Sequence, residues 1–114
     1  MIVDQGEKVH VIIRRLFEED LRRHFVGEVQ DVENDIMRVE GYTFIFDLST
    51  NQYLKRKEKR IRVIAMGDAL NIINILPSAS DIEKVEYVQS PDRRLVVTDH
   101  STFSLSINEF GTNQ

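Results

Sequence analysis

The stretch Ile36-Met37-Arg38-Val39-Glu40-Gly41-Tyr42-Thr43-Phe44-Ile45-Phe46-Asp47 decides the class of fold. Met37 and Val39 share one parity, and Tyr42, Phe44 and Phe46 share the other, with Gly41 between. Alternation of this kind is the period of a half-buried strand. A change of parity at a glycine marks a bulge or sharp bend, and such bends let a short sheet curl into a barrel.

Upstream, Val9, Val11, Ile13 and Phe17 fall on one parity, and Phe25, Gly27 and Val29 share another. These predict strands over 9–17 and 21–32, joined by the acidic turn Glu18-Glu19-Asp20. Ile13, Leu16, Phe17, Leu21 and Phe25 also recur at helical spacing, and Glu18/Arg22 and Glu19/Arg23 would be favourable i,i+4 pairs. Strand or helix therefore stays open over 16–24, although the β-branched run Val9-Val11-Ile12-Ile13 favours a strand before it. Downstream, 48–53 reads as a loop or hairpin tip. Ile61 and Val63 alternate with Arg60 and Arg62 in a strand over 60–66, Gly67-Asp68 punctuates it, and 70–76 is a nearly continuous apolar strand ended by Pro77.

Beyond Pro77, Ser80-Asp81-Ile82-Glu83 matches a capping box and predicts a turn or two of helix. Strands at 85–89 and 95–98 flank the β-turn sequence Ser90-Pro91-Asp92-Arg93, and Phe103, Leu105 and Ile107 alternate with polar residues in a half-exposed strand. The last four residues, Gly111 to Gln114, are expected to fray. The expectation is one all-β domain over 1–114, with a five-stranded small barrel in 9–77 and a β-meander appendage in 78–114. Gly27, Gly41 and Gly67 are the expected bends, Gly67 in a positive-φ turn. Val11, Ile13, Phe25, Val29, Phe44, Ile61, Val63, Leu70, Ile72 and Leu76 are the expected core.

The chain has 114 residues, 41% hydrophobic and 30% charged, with a formal charge of -4. That is enough for one domain with a core, and it excludes a disordered chain, a collagen and a coiled coil. No apolar run approaches the roughly 20 residues of a membrane-spanning helix. The opening seven residues show no signal-peptide pattern, and zero cysteines remove disulfides and thiolate chemistry. A cytoplasmic location is the expectation. Residues 14–62 hold 11 basic and 10 acidic side chains, whereas 78–114 hold 3 and 6. Such a chain can meet an anion locally but lacks the broad positive field of a general polyanion binder.

The order and punctuation of the strands up to Pro77 resemble the Sm/Lsm-like small barrels. Phe25-Val26-Gly27-Glu28-Val29 is similar to that family's second strand. Val63-Ile64-Ala65-Met66-Gly67-Asp68-Ala69-Leu70-Asn71-Ile72-Ile73 is similar to its second signature, where a glycine turn joins the fourth and fifth strands. The resemblance covers about 9–77 and implies a ring-forming, RNA-associated fold. Met66 stands where the family has a basic residue, and Asp31, Glu33, Asn34 and Asp35 lie closer to Gly27 than the family's spacing places its RNA-contacting pair. The usual uridine pocket is therefore not retained, whereas strand-edge assembly is.

Lys55-Arg56-Lys57-Glu58-Lys59-Arg60-Ile61-Arg62 carries six cations in eight residues. Lys55, Arg56, Lys57, Lys59, Arg60 and Arg62 form the candidate phosphate-contacting patch, joined by Arg22 and Arg23. The same charges would also keep a sheet edge from aggregating, which is the blander reading. Asp99-His100-Ser101 holds three triad residue types, but neighbours on an extended chain point in alternating directions, so no relay follows. His10, His24 and His100 lack short metal-ligand spacing, and the acidic clusters lack the order of a calcium loop. No catalytic constellation and no cofactor are expected. The first expectation is a non-enzymatic module that self-assembles as a homo-oligomer. The alternative is RNA or single-stranded nucleic-acid binding through 55–62.

Overall fold

The computed structural model of the chain describes residues 2–107. These residues are all-β, with nine antiparallel strands in two sheets among them. The larger sheet contains β1 (Lys8–Ile13), β2 (Arg23–Glu33), β3 (Ile36–Asp47), β4 (Gln52–Lys55), β5 (Arg60–Ala65) and β6 (Asn71–Leu76). Its order is β4-β3-β2-β1-β6, and β5 pairs with the first half of β3. The smaller sheet is a meander of β7 (Glu86–Gln89), β8 (Leu95–Thr98) and β9 (Ser104–Ile107), preceded by one 3₁₀ turn over Ile82–Lys84.

β3 organises the large sheet. Its N-terminal half bonds to β5 and its C-terminal half to β4, so the sheet must bend between them. Gly41 and Gly27 are partners across the β2–β3 ladder at that bend. A Cβ on Gly41 would sit 2.5 Å from the Gly27 Cα and would collide with the Val26 carbonyl, and one on Gly27 would sit 2.7 Å from Val39 Cγ1. Only glycine lets the two backbones approach so closely. A register shift between Val29 and Asp31 adds a bulge two residues on. Both glycines therefore mark the bend that the sequence suggests. Gly67 does not take the expected conformation. Its φ is not positive, and an added Cβ would meet only the Asp35 side chain, at 3.4 Å and beyond.

The change of parity along β3 has a second cause: both faces of the strand are covered. Met37 and Val39 point into a core with Val3, Val9, Val11, Phe25, Val29 and Ile64, enclosed by the curl of the sheet. Phe44, with Tyr42 and Phe46 beside it, points the other way, into a second core with Val26, Tyr53, Leu76, Ile82, Val85, Val97 and Ile107. Residues 78–107 thus cover the outer face of the large sheet.

Several expectations need correction. The sheet is not a closed five-stranded barrel. Six strands precede Pro77, the extra one being β4 in the segment expected to be a loop or hairpin tip, and β5 and β6 are not paired with each other. Residues 14–22 are neither strand nor helix. Asp20 folds them into a turn, accepting from Phe17 N at 3.1 Å and donating to its carbonyl, while Arg15 donates to the Glu18 carbonyl at 2.6 Å. The helix expected from Ser80 is a single 3₁₀ turn capped by Asp81. Val11, Phe25, Val29, Phe44 and Leu76 are buried as expected, and Ile13 and Leu70 are half-buried. Ile61, Val63 and Ile72 are instead 61%, 64% and 44% exposed, because β5 and β6 are edge strands at the open end of the curl. The expected fraying of 111–114 lies outside the described residues.

Candidate functional site

The basic segment spans the end of β4, a short loop and the start of β5. Lys55 and Lys59 reach over the Tyr42 ring at 4.2 and 5.8 Å. Lys55 Nζ donates to the Glu83 carbonyl at 2.7 Å, and Lys59 Nζ donates to the Glu83 carboxylate at 2.9 Å. The Tyr42 hydroxyl donates to the same carboxylate at 2.5 Å. Those two donors, Tyr42 first and Lys59 second, hold the Glu83 carboxyl below the usual range. Arg60 pairs with Glu58 at 3.0 Å, and the Arg62 guanidinium lies 5.7 Å from the Phe25 ring centroid. Four of the six cations thus have partners within the chain, and two of these tie the large sheet to the 3₁₀ turn. Arg56 and Lys57 are exposed, without an acidic partner among the described residues. Arg22 stands over the Phe46 ring at 5.3 Å, and Arg23 is exposed on β2.

A buried polar cluster joins the two sheets. His10 and His24 are fully buried on the outer face of β1 and β2. Tyr87 Oη lies 2.6 Å from His24 Nδ1 and 2.9 Å from His10 Nε2, and Asn74 Nδ2 lies 3.1 Å from His10 Nδ1. One assignment orders the protons: Asn74 donates to His10 Nδ1, His10 Nε2–H donates to Tyr87 Oη, and the Tyr87 hydroxyl donates to His24 Nδ1. The two rings also meet edge to face at 5.1 Å, and Tyr53 and Tyr87 stack at 4.7 Å with planes 22° apart. Its two imidazoles are fully buried and its Asn74 and Tyr87 half-buried, so the cluster anchors the meander to the large sheet. Sequence spacing could not find it, because His10, His24, Asn74 and Tyr87 come from four strands.

Asp99-His100-Ser101 forms a corner. Asp99 is fully buried, and its carboxylate accepts main-chain N–H groups of Asp81 at 2.9 Å, Ser101 at 3.1 Å, Thr102 at 2.7 Å and Phe103 at 3.1 Å. Burial alone would push its pKa up, but those N–H groups outweigh it and hold the carboxyl far below its ordinary value. His100 turns away in a left-handed conformation and lies 3.2 Å from Glu86. The arrangement is a structural cap.

A concavity of about 680 Å³ lies between the β3–β4 hairpin tip and the tip joining β7 and β8. Phe46, Tyr53 and Tyr87 form its aromatic wall, and Arg93 and Arg94 stand opposite. No group of three or more His, Asp or Glu side chains able to hold a metal occurs among the described residues, and no helix there is long and apolar enough to cross a membrane. No family model, no curated protein and no solved structure matches the chain.

Proposed function

We propose that the chain is a non-enzymatic interaction module that assembles with copies of itself through the free edges of its large sheet. One observation carries this reading. β5 is paired only with β3 and β6 only with β1, and Ile61 and Val63 on the first and Ile72 and Ile75 on the second are between 44% and 64% exposed. Unpaired strand edges flanked by apolar side chains are templates for another chain. The two edges differ, so β5 of one copy meeting β6 of the next is a head-to-tail contact, which generates a ring where its rotation closes. The order β4-β3-β2-β1-β6, bent at Gly27 and Gly41, supports a small Sm-like barrel left open between these edges. Light scattering during gel filtration, at low and moderate salt, tests the reading. A mass several times 13.3 kDa is expected, and a monomer that persists at high concentration removes it.

A second reading, single-stranded RNA binding through 55–62, is favoured by the solvent-facing Arg56 and Lys57. It requires a salt-dependent affinity that weakens on charge reversal at Lys57, Lys59 and Arg60, and absence of binding at low salt ends it.

A further inference from the structure

We infer that the connection between β1 and β2, residues 14–22, is a contact site for a second copy of this chain, in which Phe17 of each copy enters a concavity of the other rimmed by Arg14 and Arg23. This contact uses none of Ile61, Val63, Ile72 and Ile75, so it is distinct from the contact between strand edges.

Within the loop, polar side chains serve the backbone. Asp20 accepts from Phe17 N at 3.1 Å, and Arg15 donates to the Glu18 carbonyl at 2.6 Å. Arg14 N donates to the Leu70 carbonyl at 2.6 Å, which ties the loop to the residue before β6. The apolar side chains face water instead, with Leu16, Phe17 and Leu21 between 54% and 68% exposed. Large apolar side chains grouped on a loop that its own bonds hold in place mark a contact surface.

Shape and charge together name the occupant. Arg14, Leu16, Leu21, Arg23 and Leu70 line a concavity of about 330 Å³, which Phe17 does not line. Its carboxylates, Asp20 and Asp68, are held by main-chain N–H groups, of Phe17 at 3.1 Å and of Leu70 at 2.8 Å. Arg14 and Arg23, and Glu18 and Glu19 that follow Phe17, are exposed without an ionic partner among the described residues. The chain thus carries both halves of one contact: an aromatic side chain followed by two carboxylates, and an apolar hollow rimmed by two guanidinium groups. Two such halves on one patch satisfy each other reciprocally about a two-fold axis, the isologous geometry. Residues 14–23 hold four arginines and three acidic residues, a mixture of signs that an anionic lipid surface does not select. The patch is small beside the roughly 20–30 residues a side of a standard interface, so a single pair forms only at high concentration.

The test uses the full chain with Val63→Lys and Ile72→Lys, which blocks the strand edges, labelled with ¹⁵N and observed from micromolar to millimolar concentration. Sedimentation equilibrium follows its mass. The expected result is shifts that grow with concentration at 13–23 and a mass rising toward twice 13.3 kDa. Phe17→Ser should weaken self-association about tenfold or more, the loss of an aromatic anchor, with no fall in melting temperature because the ring is exposed. Glu18→Arg with Glu19→Arg, and Arg14→Glu with Arg23→Glu, should each stay monomeric, and a mixture of the two should associate at least as tightly as the parent. Such a rescue separates a contact of paired charges from general stickiness, and Phe17→Ser remains a test if a reversed chain does not fold. No concentration dependence at millimolar chain, shifts confined to residues outside 13–23, or a mixture no tighter than its components would each overturn the inference. Sedimentation with vesicles of phosphatidylcholine and phosphatidylserine, in place of self-association, would make the occupant a lipid surface and overturn it too. Because the edges are blocked throughout, such a failure leaves the edge contact standing.

Discussion

Asp99 is where a single side chain does most for the fold. Its carboxylate gathers the main-chain N–H groups of Ser101, Thr102 and Phe103, in the β8–β9 connection, and that of Asp81, before the 3₁₀ turn. Asp99→Ala should cost about 3 kcal/mol or more, since hydrogen bonds to a buried charge are lost together. The folded-state pKa lies below the unfolded value, so the stabilisation is complete above about pH 4 and is lost as pH falls toward the folded value. Urea midpoints across the acid range should decline below that point, and Asp99→Asn should flatten the decline. Glycines make a sharper contrast at the same scale. Gly41→Ala should cost about 3 kcal/mol or more, because the new methyl meets backbone, whereas Gly67→Ala should stay within about 0.5 kcal/mol. Equal melting temperatures for the two variants would contradict the geometry. Sequence marked both glycines as bends. The distinction between them rests on Gly27 facing Gly41 across a ladder, which no local pattern encodes.

At the scale of the strand, β5 shows why alternation identifies an element more readily than its inner face. Ile61 and Val63 alternate with arginines as core residues would, yet the strand sends only Ile64 inward. A strand with a neighbour on one side alone can leave its apolar face bare, and period alone does not reveal how many neighbours it has. The meander strands were legible almost to the residue, since turn chemistry at Ser90-Pro91-Asp92-Arg93 and clean alternation from Phe103 agree with each other. The segment 14–22 was not, because Asp20 and Arg15 bond locally and break a pattern that suits both strand and helix. Of the candidate basic site, the sequence located the cations, but their capture by Glu83 depends on a segment more than twenty residues away. Val63→Lys combined with Ile72→Lys should leave the melting temperature within a few degrees and convert the assembly to a 13.3 kDa species. An unchanged oligomer would show that these edges are not the contact.

For the whole molecule, the decisive relation is between the large sheet and residues 78–107. Among the described residues, Val26, Phe44, Tyr53 and Leu76 form one core with residues of the 3₁₀ turn and the meander, and His10 and His24 share that face. Read along β1 and β2, a histidine beside buried valines belongs to a water-facing row. Only the return of the chain at Tyr87 converts that row into a second core. Tyr87 is therefore the hinge between two kinds of stabilisation: it packs on Phe44 at 4.9 Å and completes the imidazole network with its hydroxyl. Tyr87→Phe keeps the packing and removes the hydroxyl that bridges two imidazole nitrogens themselves 3.3 Å apart, at an expected cost of about 1 kcal/mol. Tyr87→Ala loses the ring as well and should cost about 3–5 kcal/mol. If the large sheet depends on this cover, a chain ending at Pro77 should lose cooperative thermal unfolding and bind a hydrophobic dye, because both apolar and polar groups of the outer face meet water at once. A cooperative melt of that shortened chain, with no dye binding, would mean that the inner core of Val9, Val11, Phe25, Val29, Met37 and Val39 holds the curl by itself.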